Sequence, residues 1–595
     1  MEDGGKLSLE EKLARDPAWF NHPLVQKFLR SIPVIILVGS LFLLYGYFLA
    51  HKIDLTTADL GRHIKNGEML LAEAADSRGF ENADGRRFTV PSVLETNVYS
   101  YTYPESRWVN HHWASGVLSY AAWKLFGFVG IQLGFILLSF ATLAVFLFLG
   151  KFYAGWGIAG FLTLAAIPLL GERTEVRPEV ISYLFSGIFF LILCRYRETA
   201  QQQVANTYGR RYLPRVGVWL WTLPLIEVLW VNLHVYFLLG PLIVGAFLLE
   251  SLLVHRAVFG RILLVFAGTV AAMLANPFGV KAFTAAVTIF ENYGYRLAEN
   301  QPVWFMEKIM PEPNFLIFKV LFFLLALSFV LVAVRNRHSL YGRAQDTPSG
   351  SDALGRAGAL RLSHIFVAAG MSIMAWFAIR NIALFGFFFI PIAAAHARSI
   401  WGNHTENRVL AAIAAASVIA TLLFFALFSV PRHFPYWREF GLGLEAGNSA
   451  AIEFLSENKI EGPIFNNYDI GGYLIFHLFP REKVFVDNRP EAYPPEFFTD
   501  EYIPMQENDE KWREELARYN FNALVFAYHD ATPWGQKFLV SRIRDPEWAP
   551  VFADSKVLIL LRRGGKNDTV IRRFELPREI FRISGQSRAV LHSTV

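Results

Sequence analysis

Apolar residues along this chain fall in continuous blocks. They show neither the alternation of a half-buried strand nor the one-sided stripe of a surface helix. The blocks are 32–50, 128–150, 154–171, 178–194, 216–231, 235–254, 262–276, 314–334, 364–378, 382–396 and 409–429. Each is about 15–22 residues long, the length that crosses a hydrocarbon core of roughly 30 Å as a helix. No water is present there to satisfy backbone amides, so the spanning form is helical. The pattern predicts about eleven transmembrane helices. A shorter block, 113–126, contains Trp123 and Lys124 and reads as an interfacial or re-entrant helix.

After about residue 432 the pattern changes. Charges return and the apolar runs shrink to strand length: PIFNN (463–467), KVFVDN (483–488), ALVFAY (523–528) and KVLILL (556–561). Helical patterns alternate with them in GNSAAIEFLSENK, DIGGYLIFHLF, NDEKWREELARYN and WGQKFLVSRIRD. Asn448 or Ser449 is placed to cap the first of these helices. The alternation predicts βαβ units around a mostly parallel sheet. No glycine-rich nucleotide fingerprint follows any of the strands. The expected fold class is therefore a polytopic α-helical membrane protein with a C-terminal soluble α/β domain. The division is a membrane domain over 1–431, with an outer loop at 51–112, and an extracytoplasmic domain over 432–595.

Composition supports the membrane reading. The chain is 53% hydrophobic with a mean hydropathy of +0.31, and only 18% is charged, against about 25% in soluble domains. The net charge of +5 matters less than where it sits. Lys and Arg gather at Lys151 and in the loops 195–215, 255–261, 335–361 and 397–408. With the N-terminus in the cytoplasm and eleven spans, those loops all fall inside, as the positive-inside rule requires. The C-terminal domain then lies outside, in a multi-pass protein of the bacterial inner membrane. The basic residues are accounted for by membrane lipids, and nucleic acid is not an expected partner. The polar first 30 residues do not read as a cleavable signal peptide. Loop 335–361, rich in Gly, Ser and Arg, reads as a mobile connector. The single cysteine, Cys194, precludes an internal disulfide and any cysteine-based metal site.

The opposite helix ends hold a different set of residues. Loop 51–112 carries Asp59, Arg62, His63, Asn97, Asn110, His111 and His112; GERTEVRPEV adds Arg173, Glu175, Arg177 and Glu179. His234, Glu299, Arg380 and Asn381 follow at later outer turns. Ionisable groups beside a membrane are costly and usually face a protein-lined cavity with a function. Arginines suit an anionic phosphate, and carboxylates or histidines suit proton transfer. The bland alternatives are contacts of Arg62 and Lys65 with lipid phosphates, interfacial packing of the histidines, and a plain helix start at Pro178. His63, His111 and His112 show no i,i+4 pairing that would mark a metal site.

The order of these features resembles the GT-C superfamily of polytopic glycosyltransferases, in particular a bacterial branch with a recurring set of motifs. Asp59, His63, Ile64 and Gly67 match its D-x-x-W-H-I-x-x-G. Tyr99 to Thr102 match D-x-F-S-Y-T, and Trp108, His111 and Trp113 match W-x-x-H-E-W. Arg177 to Glu179, Trp230, Asn232, His234, Asn276 to Gly279, Arg380 and Asn381 match R-P-E, W-x-N-x-H, N-P-F-G and R-N. Tyr468 to Leu474 and Val484 to Arg489 match Y-D-x-G-G-Y-L and V-F-x-D-x-R. Two positions depart from the pattern: Asn97 stands where it has Asp, and His112 where it has Glu.

The resemblance implies a glycosyltransferase that moves a sugar from a polyprenyl-phosphate carrier to an extracytoplasmic acceptor. It implies that Asp59 is the general base or positions a divalent cation, the cofactor left open. Arg173, Arg177 and Arg380 would hold the donor phosphate. His63 and His111 would orient donor or acceptor. Glu175, His112, His234, Asp487 and Arg489 complete the candidate set, the last two ending an expected strand where α/β sheets place ligands. The bland reading of Asp487 and Arg489 is a loop salt bridge. The two lost carboxylates support an alternative: a non-catalytic subunit retaining the same scaffold. A lipid-carrier transporter is a third class, but the sequence has no broken helix pair or inverted repeat.

Overall fold

The computed structural model describes residues 22–75, 80–81, 87–88, 92–205, 216–254, 256–288, 293–341, 361–401, 407–428, 439–528, 530 and 532–581. The leading segment, most of the 335–361 connector and the expected domain boundary near 432 lie outside them.

All eleven apolar blocks fall on helices. In chain order these are α1 (Pro23–Leu49), α2 (Leu60–Ala75, amphipathic), α3 (Trp113–Leu170), α4 (Glu179–Ala205), α5 (Thr222–Leu233), α6 (Leu239–Leu253), α7 (Arg256–Ala272), α8 (Val280–Thr288), α9 (Pro313–Tyr341), α10 (Leu362–Phe377), α11 (Ile382–Trp401) and α12 (Asn407–Phe428). Among the described residues, six helices are long and apolar enough to cross a membrane, and three shorter helices are also apolar. Their outward faces leave Leu125, Leu137, Phe161, Leu264 and Phe323 more than half exposed. In water such a surface would be an aggregation patch, whereas in a bilayer it is the lipid contact. The chain is a multi-pass membrane protein.

Helix α3 has 58 residues, which if straight would reach roughly 87 Å at 1.5 Å per residue. It is broken instead at Gly127 (φ 65°) and Gly155 (φ 79°), a backbone region that residues with a Cβ rarely enter. The breaks divide it where the apolar blocks 113–126, 128–150 and 154–171 divide.

The C-terminal part holds α13 (Ala450–Glu457), β1 (Ile464–Asn466), α14 (Gly471–Leu478), α15 (Asp509–Tyr519), β2 (Ala523–Ala527), α16 (Gly535–Arg544), β3 (Trp548–Ala553) and β4 (Val557–Arg562). The sheet order is β1-β2-β4-β3. Only β1 and β2 are parallel; β4 pairs antiparallel with both β2 and β3. The expectation of a mostly parallel sheet is corrected accordingly. A tight turn at 554–556 replaces a crossover helix, and Asp554 Oδ1 accepts from the backbone N–H of Lys556 and Val557, both at 2.7 Å. The strand expected at 483–488 is not formed either. That segment is extended but pairs with the outer loop, through a bridge between Ser100 and Val484. Ser449 occupies the cap position of α13 without a side-chain bond, while Asn448 Oδ1 accepts from Leu55 N at 2.8 Å.

The outer loop and the C-terminal part share one core. Ile53, Leu55, Leu60, Ile64, Val98 and Tyr99 are buried with Ala451, Leu455, Ile464, Tyr473 and Leu474. Two further bridges, His51 to Phe440 and Ile53 to Leu444, tie the loop's start to the same part. Helix α2 lies between this core and α3. A Cβ on Gly67 would come within 2.1 Å of the Gly116 carbonyl, so only glycine permits that approach.

Candidate functional site

Asp59 immediately precedes α2, and its carbonyl accepts the amide of His63 at 3.1 Å. The side chain is 21% exposed. Arg62 Nη2 lies 3.8 Å from one carboxylate oxygen and Arg177 Nη2 lies 3.7 Å from the other. Neither arginine engages Asp59 as a bidentate pair. The direct hydrogen bond comes from Asn488, whose Nδ2 donates to Asp59 Oδ1. Asn488 Oδ1 accepts from Arg62 Nε at 3.1 Å. A side chain from the C-terminal part therefore bridges the acid and its neighbouring cation.

Beyond Arg177 runs a continuous ionic network. Arg177 meets Glu299 at 2.8 Å and Glu175 at 2.7 Å. Arg173 holds both oxygens of Glu179, at 2.8 and 3.1 Å, and reaches Glu299 at 3.0 Å. Arg380 reaches Glu179 at 2.5 Å, Glu299 at 3.3 Å and Asn300 at 3.1 Å. Arg173, Arg177 and Arg380 thus converge, with Glu299 at their centre. Burial alone would raise the Glu299 carboxyl, but the three guanidiniums outweigh it and hold it well below the usual carboxylate range. Burial would likewise make the Arg177 guanidinium easier to deprotonate, and Glu175, Glu299 and Asp59 reverse that. Glu299 and Arg177 both stay charged at neutral pH.

The histidines form a separate stack beside it. Ring centroids are 5.5 Å apart for His63 and His112, 4.2 Å for His111 and His112, and 5.0 Å for His112 and His234. Trp230 Nε1 donates to Ser182 Oγ at 2.7 Å, and His234 Nδ1 accepts from the Tyr236 amide at 3.4 Å, so the Ser182 hydroxyl, 2.7 Å away, donates to that same nitrogen. That places the ring proton of a neutral His234 on Nε2. Burial pushes His111 down to about 4 and His63 and His112 well below the ordinary imidazole range, with Arg62 adding to each. At neutral pH these rings are uncharged, and positive charge in the site comes from arginine. Among the described residues no three His, Cys, Asp or Glu side chains converge as a cation site. Asp59 is flanked by two guanidiniums, whose positive charge repels a metal ion.

Asp487 and Arg489 are both fully buried and bonded to each other at 2.6 and 2.7 Å. Arg489 also donates to Asn97 Oδ1 at 2.6 Å and lies between the rings of Tyr99 and Trp108. In an extended segment neighbouring side chains point to opposite faces. Asp487 and Arg489 therefore enter the core of the outer loop while Asn488, between them, turns to Asp59. A cavity of about 320 Å³ opens nearby, lined by Val109, His111, Lys281, Thr284, Thr288, Tyr293 and Glu491 among others. Sequence reasoning did not single out Asn488, Lys281, Asn300 or Glu491. Each is an ordinary polar residue in a loop or helix, and only the packing of distant segments gives it a place.

No protein-family model and no curated relative matches the chain. Solved structures do. The apo oligosaccharyltransferase of Archaeoglobus fulgidus aligns over 88% of this chain and 72% of its own, with a TM-score of 0.50 and 11% identity. The archaeal oligosaccharyltransferase AglB from the same organism, in complex with an inhibitory peptide and a dolichol-phosphate, aligns over 93% and 75% with a TM-score of 0.48 and 12% identity. ArnT from Cupriavidus metallidurans bound to undecaprenyl phosphate aligns over 89% and 98% with a TM-score of 0.36 and 11% identity. The alignment at 0.50 establishes the fold, and at that level the GT-C architecture expected from the motifs is borne out.

Proposed function

We propose that this chain is a membrane glycosyltransferase that moves a sugar from a polyprenyl-phosphate carrier to an acceptor on the outer face, with Asp59 as the base. The observation that carries the reading is Asp59 itself. It is a partly exposed carboxylate, within 4 Å of two guanidiniums yet paired face-to-face with neither. A tightly paired acid is a weak base, and this one keeps a free flank. In the proposed step the acceptor oxygen attacks the anomeric carbon. The bond from that carbon to the phosphate oxygen breaks, and the phosphate leaves with the electron pair. Asp59 takes the acceptor proton. Arg177, backed by Arg173 and Arg380, neutralises the charge on the departing phosphate, since guanidinium offers paired donors to such oxygens. The neutral histidines offer hydrogen bonds to sugar hydroxyls.

Asp59→Asn keeps the side chain's size and removes its charge. Transfer should fall by about 100-fold or more, as loss of a general base typically does, while folded yield is unchanged. Mass spectrometry of envelope glycans from cells lacking the gene, then complemented by native or variant protein, measures it. The competing reading, a non-catalytic subunit, draws on Asn97 and His112, which lack the carboxylates of the motif pattern. A folded Asp59→Asn protein with undiminished transfer would favour that reading.

A further inference from the structure

The three arginines assigned to the donor phosphate already hold an anion supplied by the chain. Arg173 Nη1 and Arg177 Nη1 both donate to Glu299 Oε2, at 3.0 and 2.8 Å, and Arg380 Nη1 lies 3.3 Å from Oε1. The cations come from two separate turns, one before α4 and one before α11. Three guanidiniums around one small oxyanion is the arrangement that suits a phosphate with three peripheral oxygens. Glu299 contributes one carboxylate in their midst.

Charge points the same way. Without Glu299, the four guanidiniums of Arg62, Arg173, Arg177 and Arg380 face three carboxylates, Asp59, Glu175 and Glu179, which leaves one positive charge uncompensated. A buried net charge of that kind is costly. Glu299 cancels it when no ligand is bound, and a phosphate group would cancel it equally well. Both cannot occupy the same donors.

To leave the arginines, Glu299 would have to move with the segment that carries it. It lies in the short turn Ala298–Asn300. That turn is held by the bond from Ile379 N to Gln301 O at 3.1 Å and by Asn300 on Arg380. Four residues earlier, Tyr295 stacks on Tyr468 at 4.2 Å, and Tyr293 lines the cavity beside His111.

We infer that the Glu299 carboxylate occupies the phosphate position of the donor site, and that an anionic lipid headgroup binds by displacing it. The inference rests on the arginine assignment of the proposed function and adds a competitor encoded in the chain. Glu299 sets how tightly the site holds a lipid phosphate, and it refills the site when the phosphate departs.

The test uses the purified full-length protein in detergent, farnesyl phosphate as the probe and farnesol as the uncharged control. Glu299→Gln keeps a hydrogen-bond acceptor but removes the competing charge. It should bind farnesyl phosphate about tenfold more tightly than the native protein, a difference of a single decade in Kd, with farnesol unchanged. Equal or weaker binding by folded Glu299→Gln overturns the inference. If that variant does not fold, the pair Gln301→Cys and Ile379→Cys, joined by a short bifunctional thiol cross-linker, pins Glu299 in place. Binding of farnesyl phosphate should then fall at least tenfold relative to the same protein without the linker, and unaltered binding overturns the inference. Binding is read without any transfer reaction. A protein that exchanges Glu299 for phosphate yet transfers no sugar would refute the transferase reading and leave this inference standing.

Discussion

Arg489 illustrates what a fully buried charge needs at the scale of one residue. Its guanidinium has a carboxylate partner in Asp487, an amide acceptor in Asn97 and aromatic faces on two sides. Asn97 accepts from the arginine without adding charge, and Asp487 balances it. Arg489→Ala would strand Asp487 in the core with Tyr493 as its remaining side-chain donor. Removing one partner of a buried pair costs about 3–5 kcal/mol. The variant should show a lowered unfolding temperature in detergent and early proteolysis of the outer loop, read by differential scanning fluorimetry and limited digestion. The sequence marked Asp487 and Arg489 as an unusual pair but could not separate a ligand site from a structural tie. Burial separates them, and it also reveals Asn488, the uncharged residue between them, as the one that faces Asp59.

At the scale of elements, the helices were the legible part. An apolar block of bilayer length has few alternatives, and even the two breaks in α3 are marked by Gly127 and Gly155. The strands were less legible. KVFVDN has a strand's composition, but its backbone partner is the outer loop, almost 400 residues earlier in the chain. WAPVFA is not among the expected strands, yet it forms β3, an edge strand, where Pro550 is tolerated. The turn before α14 carries Asp469, the acid of the Y-D-x-G-G-Y-L match. Burial raises the Asp469 carboxyl to about 7, with Asp530, Asp59 and Glu175 adding to the effect. The folded protein then keeps a proton that the unfolded chain releases near 3.8. From about pH 4 to about pH 7 the stability contributed by this group therefore falls as pH rises. Asp469→Asn should unfold at a higher temperature than native at pH 8 and at the same temperature near pH 4, measured by thermal scans across that range.

At the scale of the whole molecule, the basic loops fix an expected orientation. Cys194 is buried, so introduced cysteines can be labelled against a silent background. Lys566→Cys, on an exposed side chain, should react with a membrane-impermeant maleimide in intact cells. Arg195→Cys, at the other end of the helices, should react only after permeabilisation. Labelling with the opposite pattern would invert the topology and place Asp59 in the cytoplasm. The arginine network was readable as a set of outer-end residues. Its closure around Glu299 was not, because it depends on how three turns pack together.

The bridge from Asn488 to Asp59 spans 429 residues of chain, and that separation has a consequence in time. At about 5–20 residues per second, the ribosome delivers Asn488 roughly 20–90 s after Asp59. Throughout that interval loop 51–112 stands without the half of its core that buries Tyr99 and Ile64. Contacts so distant in sequence form late, so the carboxylate gains its oriented setting only when the last quarter of the polypeptide has folded against it. A nascent chain arrested before residue 440 would hold its helices in the bilayer and have no assembled site. Until then Asp59 stands without the side chain that orients it.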